Sequence, residues 1–109
     1  MATTYKVLGQ SNPAATTATT LYTVPSLTST VVSAINVCNQ AATAATYRIA
    51  VRIGGATLAT AQYLAYDISL SGNSTDTYNL GITLATTDII TVYASTTNFS
   101  FSAFGSEIA

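Results

Sequence analysis

The sequence predicts an all-β fold: a single antiparallel β-sandwich or jelly-roll-like domain, residues 1–109, of about eight short strands. Three observations predict it. The run Ala45–Ile53 alternates strictly, with Tyr47, Ile49, Val51 and Ile53 on one face and Arg48, Ala50 and Arg52 on the other. The composition favours strands, with 21 threonines and 18 alanines beside Val, Ile, Tyr and Phe. Strand-length segments also recur at roughly 8–15 residues with turn signals between them, the pattern of a sandwich or jelly roll. A closed barrel is the second choice.

Taken in order, Thr4–Leu8 reads as a short strand with Tyr5 and Val7 opposite Lys6. Gly9–Thr20 has turn residues and no period, so it reads as an extended loop, and residues 1–20 together as an arm. Leu21–Val24 is a strand ended by Pro25, which has no N–H to give a ladder. Thr30–Cys38 is apolar on both faces, with Val31, Ile35 and Val37 against Val32, Ala34 and Cys38, as a central or covered strand would be. The Ala45–Ile53 strand stops at Gly54-Gly55, which free the backbone to turn, and Ala56–Ala61 reads as loop. Gln62–Leu70 alternates again, Leu64, Tyr66, Ile68 and Leu70 against Tyr63, Ala65, Asp67 and Ser69. Ser71–Asp76 is a turn cluster. Thr77–Leu84, Ile89–Ala94 and Phe99–Phe104 complete the set, with Gly105–Ala109 a tail.

Composition also excludes functions. Charged residues are 6 % of the chain and the net charge is −1, so the basic footprint of a nucleic-acid binder is missing. A small domain ordinarily uses net charge to stay apart from its copies; a surface this poor in charge suggests one that is covered in the working state. No apolar run approaches the roughly 20 residues of a membrane span, and the expected site of synthesis is a cytoplasm.

There is no histidine, which removes triads of the usual kind. The single cysteine, Cys38, can form neither an internal disulfide nor a zinc site, and reads as a small buried hydrophobe. The carboxylates Asp67, Asp76, Asp88 and Glu107 lie mid-strand, in turns and in the tail, with no spacing that pairs two across a cleft. Gly54-Gly55 lacks the lysine and helix of a phosphate loop. The reading is a non-enzyme without cofactor or metal. Arg48 and Arg52 share a strand face, where they serve either as cross-strand ion pairs, Asp67 being the best partner, or as contacts to another subunit. Most of the seven tyrosines sit on alternating strand positions, which favours core and rim packing over a stacking surface.

Several segments carry a resemblance: Met1–Ser11, Leu21–Pro25, Val37–Asn39, Ala45–Arg52, Tyr93–Ser95 and Phe104–Ile108. Together they resemble a family of short virion structural proteins of tailed phages, particularly those of cyanobacteria. The resemblance spans nearly the whole chain. It implies a non-enzymatic virion component assembled in the host cytoplasm, most simply a capsid cement or decoration protein. Such a protein would be a homo-oligomer, with a trimer favoured, bound to the major capsid protein or other virion proteins. The candidate contact residues are then Tyr5, Lys6, Leu8, Asn12 and Pro13 of the arm, Arg48 and Arg52 of the central strand, and Phe104 and Glu107 near the end. The alternative is a tail, baseplate or fibre component, with glycan binding through exposed tyrosines; a secreted carbohydrate-binding module is a third reading.

Overall fold

A computed structural model describes residues 2–109. Nine strands form two antiparallel sheets: β1 (Thr3–Ser11), β2 (Thr19–Thr23), β3 (Ser29–Asn39), β4 (Ala45–Arg52), β5 (Tyr63–Leu70), β6 (Ser74–Tyr78), β7 (Ile82–Leu84), β8 (Ile89–Ala94) and β9 (Phe99–Ile108). The first sheet has the order β1-β9-β3, with β6 and β7 both pairing β3; the second has the order β2-β8-β4-β5. If β6 and β7 are counted as one interrupted strand, β8 and β9 become the seventh and eighth. The sheets then read 1-8-3-6 and 2-7-4-5, the alternating order of a jelly roll. The sheets stay separate, so the barrel alternative falls.

The core lies between the sheets. Tyr47, Phe99, Phe101, Ile35, Ile49 and Ile90 are its largest fully buried side chains. Tyr47 projects from β4 into a cluster with Phe99 and Phe101 at centroid distances of 6.0 and 6.2 Å. Its hydroxyl donates to Asp76 Oδ2 at 2.7 Å and meets the hydroxyl of Tyr78. Asn39, fully buried, donates through Nδ2 to the carbonyls of Thr43 and Leu70 at 3.0 Å and accepts from the Ala41 N–H. In this way a polar side chain organises the loops at one end of the sandwich without leaving a buried group unpaired. At the other end, Asp88 accepts N–H bonds from Gly54 and Ala85 and ties the β4–β5 and β7–β8 loops.

Several boundaries differ from the sequence reading, each for a physical reason. Gly9–Ser11 are not loop but the second half of β1, pairing Ala103, Ser102 and Phe101. Gly105–Ile108 are not a tail but the second half of β9, pairing β1 on one side and β3 on the other. Of the expected arm, residue 1 lies outside the described residues, residues 3–11 are a paired edge strand, residues 12–18 a connection, and Thr19 and Thr20 already belong to β2. Leu8 and Pro13 are buried rather than presented to a partner. A β-branched period is absent in these segments because partner strands, not side-chain alternation, supply the order.

Thr77–Leu84 is not one strand: Asn79–Gly81 interrupts it, with Gly81 at φ +63°. Ile53 leaves the alternation of β4 and is exposed, since the chain turns at Gly54 and Gly55, φ +62° and +71°. The expected loop at Ala56–Ala61 runs into a single 3-10 turn, Thr60–Gln62. In β3 a register shift at Ser33 exchanges faces, so Val32, rather than Val31, joins Ile35 and Val37 in the core. Cys38 lies on the outer side, half-buried and unpaired, not in the core.

Candidate functional site

The free edges of the sheets are poor docking strands. β5 carries two register shifts, β2 is five residues long with one, and β6 and β7 are separated by Asn79–Gly81. β1 has a shift at Leu8 and carries the exposed Lys6 on the edge. Bulges, short strands and edge lysines are devices that stop edge-to-edge pairing. Association is left to the two sheet faces and the loop ends.

The outer face of the β1-β9-β3 sheet is uncharged. Register places Tyr5, Val7, Val31, Ala34, Phe104 and Ser106 there at one end, and Gln10, Asn36, Cys38, Ser100 and Ser102 at the other. Tyr5 is 83 % exposed and Val7 49 %, whereas Phe104 is half-buried between Val7 and Ala34. Among the described residues no charged side chain points from this face. An open depression of about 360 Å³ lies at its polar end, lined by Gln10, Ser11, Asn12, Ser100, Phe101 and Ser102. Asn12 is a staple there rather than a free contact: its Nδ2 donates to the carbonyls of Thr97 and Phe99 at 2.8 and 2.5 Å.

Lys6, with 44 % of its side chain in solvent, pairs at 3.2 Å across the β1–β9 ladder with Glu107, which is largely covered. Glu107 Oε2 also accepts from the hydroxyl of Tyr22 at 2.5 Å, and that hydroxyl meets Thr30 Oγ1 at 2.8 Å. The Tyr22 bond, seconded by Lys6, holds the Glu107 carboxyl below its ordinary value. Burial, with Glu107 beside it, pushes Tyr22 up to about 12. This network joins β1, β2, β3 and β9 at the end where Ala2 and Ala109 exchange backbone hydrogen bonds.

The outer face of the β2-β8-β4-β5 sheet is chemically different. Between the pairs Tyr47–Ile68 and Ile49–Ala65, the two residues Tyr66 and Asp67 stand opposite the single residue Arg48. Asp67 takes the extra-residue position at φ +50°, a left-handed conformation that Asp tolerates better than most. Both side chains therefore reach the same guanidinium. Arg48 Nε and Nη2 donate to Asp67 Oδ1 and Oδ2 at 2.6 and 3.2 Å. The guanidinium carbon sits 4.2 Å from the ring centroids of Tyr66 and of Tyr93, its cross-strand partner on β8. Tyr63 meets Tyr66 edge to face at 4.8 Å. The result is a column of three rings around a neutralised cation, held by hydrogen bonding, ion pairing and cation–π attraction. Arg52, four residues on, does not meet Asp67; it donates to the carbonyls of Gly55 and Ala56 at 3.0 and 2.7 Å and closes the β4–β5 turn.

The tyrosines thus divide. Tyr22 and Tyr47 are core, as the alternation implies, and Tyr78 packs at the rim. Tyr5, Tyr63, Tyr66 and Tyr93 lie on outer faces; for Tyr63 and Tyr66 the register shifts of β5 reverse the parity and conceal it. No group of His, Cys, Asp and Glu among the described residues is arranged to hold a metal. No helix among them is long and apolar enough to cross a membrane. No family model, curated protein or solved structure matches the chain.

Proposed function

We propose that this chain is a non-enzymatic structural protein of a virion, of the capsid cement or decoration type, laid on the major capsid lattice through the outer face of its β1-β9-β3 sheet. The observation that carries the reading is that face: long paired strands, no charged side chain among the described residues, and Tyr5, Val7 and Phe104 grouped at one end. A face of this kind loses little desolvation energy from charge when it is covered, and gains in proportion to the apolar area removed from water. Blunted edges favour face and end contacts, which suit a closed homo-oligomer, a trimer on this reading, over an open strand-paired array. The mechanism would be added buried area at junctions between capsid subunits, opposing the outward pressure of packaged DNA.

The particle supplies the test. Quantitative mass spectrometry of purified virions should find the chain in hundreds of copies, in proportion to the major capsid protein. A few to a few dozen copies would move the chain to the tail or baseplate, and absence from the particle would overturn the virion reading. The charge-free face has its own test: Val7→Lys should abolish binding to heads lacking the chain while leaving the isolated domain folded.

A further inference from the structure

We propose that the opposite face, the outer side of the β2-β8-β4-β5 sheet, binds a neutral carbohydrate over Tyr63, Tyr66 and Tyr93, with the Arg48–Asp67 pair supplying hydrogen bonds to its hydroxyls. This goes beyond the placement on a particle, and its failure would leave that placement standing.

Two cross-strand rows build the site. Tyr93, Arg48 and the Tyr66–Asp67 step form one, across β8, β4 and β5. Thr20, Thr91, Ala50 and Tyr63 form the next, across β2, β8, β4 and β5. Tyr66 keeps 53 % of its surface in solvent, and Leu64 beside it 44 %. Sheet packing alone does not call for rings left this open. Their positions are nonetheless fixed: Arg48 wedges Tyr66 against Tyr93, and Tyr63 braces Tyr66 from the side. Rigid, amphipathic tyrosines give contact area at low entropic cost, which is what a weakly hydrophobic ligand needs.

The hydrogen-bonding inventory points the same way. The hydroxyls of Tyr22 and Tyr47 are both paired in the core. Those of Tyr63, Tyr66 and Tyr93 meet no protein group among the described residues, and neither does Arg48 Nη1, since Asp67 takes only Nε and Nη2. On the surface, the three tyrosine hydroxyls and Arg48 Nη1 stand unfilled beside edge-to-face rings, the combination that the polar rims and apolar ring faces of a sugar complement.

Charge selects the class of ligand. Asp67 cancels Arg48, and Arg52, further along β4 on this face, turns its guanidinium to the carbonyls of Gly55 and Ala56, so the two rows carry no net charge to draw phosphates, sulfates or uronic acids. A nucleic acid would need free cations as well as rings. A neutral glycan needs only the rings and the fork of donors and acceptors.

The test is a titration of the intact, ¹⁵N-labelled protein with cellohexaose, maltohexaose and a mannan hexasaccharide, followed residue by residue by NMR. Sulfated heparin hexasaccharide and oligothymidylate serve as charged probes. At least one neutral probe should give saturable shifts confined to Arg48, Tyr63, Tyr66, Asp67, Tyr93 and Thr91. Tyr66→Ala should weaken that binding roughly tenfold, while Tyr5→Ala, on the other sheet, leaves it unchanged. Thermal melting confirms that each variant is folded. The proposal is overturned if no neutral probe saturates, if the shifts fall on β1, β3 or β9, or if a charged probe binds more tightly than every neutral one.

Discussion

The hydroxyl of Tyr47, on β4, donates to the carboxylate of Asp76, on β6, at 2.7 Å, and this bond joins the two sheets at one margin of the core. The ring of Tyr47 is fully buried against Phe99 and Phe101, so the same residue fills the core and ties its edge. Burial, followed by the bonds to Tyr78 and Asp76, keeps its phenol neutral far into the alkaline range. Tyr47→Phe keeps the ring but leaves Asp76 and Tyr78 short of a partner. It should destabilise the domain by about 1–3 kcal/mol in urea unfolding. A change within error would mean that water replaces the hydroxyl at no cost.

The Lys6–Glu107–Tyr22 network should make stability fall at both extremes of pH. The carboxyl of Glu107 is lowered, so its contribution is complete above the unfolded value near 4.5 and is lost as pH falls through the lower folded value. Tyr22 is raised from 10.0 to about 12, so its contribution is complete below pH 10 and is lost as pH rises toward 12. Glu107→Gln should flatten the acid side of a plot of melting temperature against pH, and Tyr22→Phe the alkaline side. Parallel curves for wild type and variants would show that the network does not couple to folding.

β1 is part of the domain, and its removal should unfold the protein. Residues 3–11 pair with β9 through eight register positions, and Leu8 belongs to the core. Gly9 also passes so close to β2 that a Cβ there would lie 2.2 Å from the Leu21 carbonyl oxygen. Deleting residues 1–11 should abolish the cooperative melt or lower its midpoint steeply, since the loss of Leu8 alone is worth about 2–5 kcal/mol. A free arm would give an unchanged midpoint.

Residues 1–11 also mark how far the sequence could be read. The alternation of Tyr47, Ile49 and Val51, and the pairing of Arg48 with Asp67, follow from side-chain spacing and are present in the structure. The pairing of Gly9–Ser11 and Gly105–Ile108 has no such trace, because hydrogen bonds to a distant strand hold polar and glycine residues that look like loop. The shifts at Leu8, Ser33 and Tyr66–Asp67 were hidden for a related reason: one extra residue reverses every face beyond it. That reversal took Val31 out of the core, whereas Cys38 is outside it simply because it alternates with Val37 and only one face of β3 is core. A reversal of the same kind brought Tyr66 beside Arg48, so the aromatic column could not be read from period two.

Arg48 and Arg52 should separate on substitution. Arg48→Ala removes an ion pair and two ring contacts, and should lower stability by about 1–2 kcal/mol. Arg48→Lys should recover only part of it, because an ammonium lacks the planar fork that serves Asp67 and both rings at once. Arg52→Ala loses two carbonyl contacts at an exposed turn and should cost less than about 1 kcal/mol. Equal losses in thermal melting would contradict this division of roles.

The placement on a particle is tested most directly by a cryo-electron microscopy map of purified virions at a resolution that distinguishes the two sheets. Density should repeat over the head lattice, with the uncharged face of β1, β9 and β3 against the capsid and the column of Tyr63, Tyr66, Arg48 and Tyr93 turned to solvent. Density confined to the tail, or a domain seated on the lattice through the tyrosine face, would contradict it.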